Sequence, residues 1–99
     1  MIRHTVAFSL HHAVGSAEEA AFLCDARILA AIPEVERFEQ LNQVSAKSPF
    51  RFGFSMEFAD DTAYQSYNAH PLHQAFVVER WIPKVSDLQE LDYVPLAAR

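Results

Sequence analysis

The stretch 50-FRFGFSMEF-58 sets Phe52, Phe54, Met56 and Phe58 at every second position, with Arg51, Gly53, Ser55 and Glu57 between them. Successive side chains of a strand point to opposite faces, so this spacing predicts a strand over 50–58 that is buried on one side only. Its phenylalanine-rich face must lie beneath helices. The first residues repeat the pattern. In 2-IRHTVAFSL-10, Ile2, His4, Val6, Phe8 and Leu10 point one way, and Arg3, Thr5, Ala7 and Ser9 the other.

Between these strands the chain carries a helix and a weaker strand. Gly15 makes a turn, and Ser16 with Glu19 forms a capping box in which each side chain satisfies a backbone donor at the helix start. A helix is predicted from about Ala17 to Ala31, burying Phe22, Ala26 and Leu29, and it stops before Pro33 because proline disfavours helical geometry at the preceding residue. From Val35 to about Ala46 the alternation is imperfect, which fits a bulged strand, and AKSPF supplies the next turn. After Phe58, Asp60 and Asp61 cap a helix starting near Thr62 and carrying Tyr64 and Tyr67. Pro71 opens another helix, reaching Trp81, where its missing N–H is no loss. DLQELDYV closes the chain as a fourth strand. The order β-α-β-β-α-β is the ferredoxin-like arrangement, an α+β fold, here in one domain spanning residues 1–99. The second sheet face, with Arg3, Thr5, Ser9, Ser55 and Glu57, is either bare to water or packed on another sheet.

Composition narrows the function. A net charge of −5, with eight Lys and Arg residues scattered along the chain, gives no basis for binding nucleic acid. No apolar run is long enough to span a bilayer, and a single cysteine, Cys24, rules out an internal disulfide, so the expected setting is soluble and cytoplasmic. Cys24 lies in a predicted helix and is expected to act as a small core hydrophobe.

The histidines carry the chemical interest. His4 stands on the apolar face of the first strand, either as a core residue satisfied by one hydrogen bond or as the wall of a cavity. Tyr67, His70 and His73 recur every three residues and share a helix face if helical geometry persists past Pro71. They form either a packing face with polar edges or a phenol and imidazole aimed into a pocket. A metal reading of His70 and His73 needs a third ligand, which His4 could supply, but no H-E-x-x-H is present and Cys24 lies in another helix, so no metal and no cofactor are expected. His11 and His12 are expected to be solvated, and Glu57 and Arg51 to face solvent or a partner subunit.

IRHTVAF, IPEVERFE, FSMEF, YNAHPLHQAFVVERWIPKV and the closing LDY, in this order and spacing, resemble the stress-responsive dimeric α/β-barrel (Dabb) family, and HPLHQAF fits that family's H-P-x-H signature. The resemblance implies a homodimer whose two sheets pack into a closed barrel. It also implies kinship with plant enzymes similar to olivetolic acid cyclase, which close linear polyketides by aldol condensation. In that branch the positions matching Tyr67 and His73 form the acid–base pair, and the position matching His4 helps line the pocket. Carried over, His73 would take a proton alpha to a carbonyl while Tyr67 bonds the enolate oxygen. Phe52 stands where the plant cyclases have a further pocket histidine, which makes the pocket less polar. The expected ligand is an apolar carbonyl compound contacting His70, Phe22, Phe52, Phe54 and Trp81. Two alternatives remain: a non-enzymatic stress protein that works through assembly, and a cofactor-free monooxygenase on the same barrel architecture.

Overall fold

In the computed structural model, which describes residues 1–97, the two alternating stretches lie side by side. β1 (Ile2–Leu10) and β3 (Phe52–Phe58) pair antiparallel with Val6 opposite Phe54 and Phe8 opposite Phe52, so their apolar sets share one face. β2 (Glu36–Asn42) and β4 (Val85–Tyr93) flank them in the sheet order β2-β3-β1-β4.

α1 (Ala17–Asp25) starts on Ser16, whose hydroxyl accepts from the Glu19 N–H at 3.2 Å. The reciprocal Glu19 carboxylate accepts from the N–H of Gly15, one residue earlier than a capping box requires, at 3.0 Å. The α-helix does not extend to Ala31: it tightens at Ala26–Ala31 into a 3₁₀ turn, which still buries Ala26 and Leu29. Ile32, ahead of Pro33, is extended (φ −71°, ψ 125°), and its N–H closes the turn onto the Leu29 carbonyl.

β2 is shorter than the predicted strand over 35–46 and is bulged between Glu36 and Glu39, with Arg37 in the left-handed region at φ 53°. α2 (Asp61–Ala69) is capped by Asp60, whose carboxylate accepts from the Ala63 N–H at 2.8 Å. α3 (Pro71–Phe76) runs on through a π turn, Val77–Trp81, and a last turn, Ile82–Lys84, into β4.

The core is an aromatic layer between sheet and helices. Phe8 meets Phe54 edge-on at 4.7 Å between ring centroids, and Trp81 and Phe22 at 5.0 and 5.8 Å. Such pairs contribute about 0.5–1.5 kcal/mol each beyond the area they bury.

Two expectations need correction. Cys24 is exposed, because the buried stripe of α1 runs through Glu19 and Phe22 and leaves the cysteine outside it. His12 is half-buried rather than solvated, and its Nε2 has no partner among the described residues. Arg51 is exposed, in keeping with the expectation for it. It precedes β3, bonds Glu19 at 3.5 Å and lies over the Phe52 ring, while Glu57 pairs with Arg3 at 3.0 Å.

The sheet face away from the helices is uncovered. Leu41, Leu91 and Tyr93 stand on it 47%, 46% and 51% exposed, around Thr5, Gly53 and Ser55. Among the described residues no helix is long and apolar enough to cross a membrane.

Candidate functional site

Beside the aromatic core, where α2 and α3 pass over β1, β3 and β4, the layers separate around a cavity of about 250 Å³. That lies just below the usual range for small-molecule sites and suits a compact ligand. Val6, Phe54, Met56, Phe76 and Trp81 provide apolar wall, and His4, Tyr67, His73 and Glu90 provide polar groups.

Helix geometry decides which polar groups arrive there. His70 is extended (φ −66°, ψ 136°), so the spacing of Tyr67, His70 and His73 is not one continuous helix. His70 turns away to cap α3, its Nδ1 accepting from the Leu72 N–H at 3.1 Å. The break brings Tyr67 and His73 together, with ring centroids 4.3 Å apart.

The His73 Nδ1–H donates to the Asn68 carbonyl at 3.1 Å. A carbonyl only accepts, so this bond fixes the proton on Nδ1 and leaves the Nε2 lone pair bare in the neutral ring. Burial pushes the His73 pKa below its ordinary value, the Asn68 bond opposes the shift, and nearby His4 adds to it. Tyr67 is 2% exposed, and burial pushes its phenol well above the ordinary tyrosine value. No side-chain hydrogen bond contributes to that shift, and the hydroxyl is not among the sealed, unpartnered polar atoms, so it borders the cavity. His4 is anchored differently: its Nδ1 lies 2.5 Å from Asp92 Oδ1, and Tyr64 donates its hydroxyl to Asp92 Oδ2 at 2.8 Å. The Tyr64 phenol is likewise pushed up, first by burial and then by Asp92.

The family model for the stress responsive A/B barrel domain, Dabb, matches residues 2–95. The chain belongs to the Dabb family. A Dabb-family protein with a ferredoxin-like fold from Mesorhizobium loti is 59% identical over 97% of each chain, with a TM-score of 0.96. A dimeric ferredoxin-like protein from Thermobifida fusca, 21% identical, covers 95% of this chain and 90% of its own at a TM-score of 0.78. The hydroxynitrile lyase of Passiflora edulis, 13% identical, covers 99% and 96% at a TM-score of 0.82. No curated protein matches the sequence.

In this Dabb domain the cavity brings together His4, Tyr67, His73, Phe54 and Trp81. His70, Phe22 and Phe52 are elsewhere. His70 is spent as a helix cap, Phe22 is fully buried against Phe8 and Phe76, and Phe52 borders Gln40 and Asn42 at the far side of β3. Among the described residues no three His, Cys, Asp or Glu side chains are grouped to hold a metal.

Glu90, Asp92 and Tyr64 were not singled out as site residues by the sequence. Alternation in β4 puts Glu90 and Asp92 on one face and Leu91 and Tyr93 on the other, but an apolar core argues for the wrong pair facing inward. The register settles it, with Asp92 opposite His4 and Glu90 opposite Val6.

Proposed function

We propose that this Dabb domain is a cofactor-free acid–base enzyme acting on a compact, largely apolar carbonyl compound, and that it works as a homodimer. His73 Nε2 takes a proton from the carbon next to the carbonyl. The C–H electron pair moves into the enolate, and the Tyr67 hydroxyl donates to the oxygen where negative charge develops. The resulting enolate either attacks a second carbonyl of the ligand, whose C=O electron pair moves onto oxygen to give an alkoxide that takes the proton back from the His73 imidazolium, or recovers that proton on carbon. His4, tethered to Asp92, is a second proton-carrying group on the same cavity.

One observation carries this reading: a phenol without a protein partner stands beside an imidazole of fixed tautomer, both on the wall of a cavity. A protein serving through packing alone has no use for such a donor. The Passiflora edulis neighbour is an enzyme, which supports the scaffold's suitability for a site of this kind. The open face with Leu41, Leu91 and Tyr93 supports the dimer, and the Thermobifida fusca neighbour is dimeric.

The test is deuterium incorporation into the methyl group of acetophenone in D₂O, followed by proton NMR. The expected result is acceleration over buffer that falls about 10²–10³-fold in Tyr67→Phe and at least as far in His73→Ala. No acceleration with acetophenone or longer aryl ketones, or variants as fast as the parent, would refute it.

A further inference from the structure

The cavity's charge is one-sided. Among the described residues no Lys or Arg lines it, whereas Glu90 does. The other nearby carboxylate, Asp92, has both oxygens engaged, Oδ1 by His4 and Oδ2 by Tyr64. Glu90 is different: it makes no ion pair with another described residue. It reaches the cavity from β4, opposite Val6, and is exposed, so it stands where the cavity opens to solvent. The same cavity is walled by Phe54, Phe76 and Trp81.

We infer that Glu90 sets the charge of the ligand: the site takes carbonyl compounds whose other end is cationic or donates hydrogen bonds, and turns away carboxylates and phosphates. This deepens the acid–base reading and rests on it. A ligand with its ketone at Tyr67 and His73 and an ammonium or hydroxyl elsewhere on its frame gives Glu90, which acts electrostatically on both of those side chains, a partner of its own. An anionic end meets Glu90 without a compensating cation in a chain of net charge −5. At the partly aqueous mouth one charge is worth about tenfold in affinity at low salt, and less as salt screens it.

Three acetophenones of matched shape test this by calorimetry: 4-(aminomethyl)acetophenone, acetophenone itself and 4-acetylbenzoate. The parent protein is expected to bind them in that order of affinity, with the cation-to-anion ratio shrinking as salt rises. Glu90→Gln should collapse the ratio at least fivefold and Glu90→Lys should invert it, with circular dichroism confirming the fold of both. A flat ratio in the parent, or one unchanged in Glu90→Gln while acetophenone still binds, overturns this inference and leaves the acid–base reading standing. Failure of all three to bind the parent overturns both.

Discussion

Replacing Tyr67 by Phe separates function from stability. The ring packs against Phe58 at 5.0 Å and His73 at 4.3 Å, and these contacts survive the change. Only the hydroxyl is lost, and it has no partner among the described residues. An unsatisfied hydroxyl costs about 1–3 kcal/mol only where it is sealed from water, and the Tyr67 hydroxyl, which is not among the sealed unpartnered atoms, opens on the cavity. Tyr67→Phe should therefore leave stability unchanged or raise it by up to about 1 kcal/mol, a rise in Tm of at most about 4–8 °C for a domain this small. Tyr64→Phe is the contrast. It removes a bond to the Asp92 carboxylate, and with the discount for partial exposure it should cost about 1 kcal/mol. Urea unfolding followed by circular dichroism measures both. If Tyr67→Phe lost as much as Tyr64→Phe, the hydroxyl would be a structural donor and could not be reserved for a ligand.

His70→Ala should lose about 0.5–1 kcal/mol in the same assay through its missing cap on α3, with the ketone exchange rate kept. The exchange rate should be level through neutral pH and fall only below about 6.5, because burial lowers the His73 pKa from there and the neutral ring is the proposed base. Stability follows the same sign. The unfolded chain takes up the His73 proton at a higher pH than the folded one, so this contribution is complete above about 6.5 and declines as pH falls towards the folded value. His73→Gln should flatten that part of a stability–pH curve. Leu91→Asp, on the open sheet face, should convert a dimer to a monomer in light scattering, and an unchanged mass would place the subunit contact elsewhere.

Much of the fold was legible because local chemistry and burial agree. Alternation in β1 and β3, the caps at Ser16 and Asp60, and the prolines at 33 and 71 each specify a boundary for a reason internal to a few residues. The 3₁₀ turn after Asp25 was not legible, since its apolar spacing also suits an α-helix. His4, Tyr67 and His73 could be named from the sequence. The role of His70 could not, because it depends on whether the chain stays helical across Pro71. Glu90 and Asp92 were hidden more deeply. β4 lies at the sheet edge with its apolar Leu91 and Tyr93 outward, so the usual link between hydrophobicity and the core misdirects the reader there. The open face, where those residues stand, is a property of the assembled sheet and not of any one strand.

Long-range proton–nitrogen NMR of the His73 ring offers the most direct check. A neutral ring at pH 7 with its proton on Nδ1, held by the Asn68 carbonyl, is the expected spectrum, and ketone binding should shift the bare Nε2 resonance. A ring doubly protonated at pH 7, or one carrying its proton on Nε2, would leave the cavity without its base.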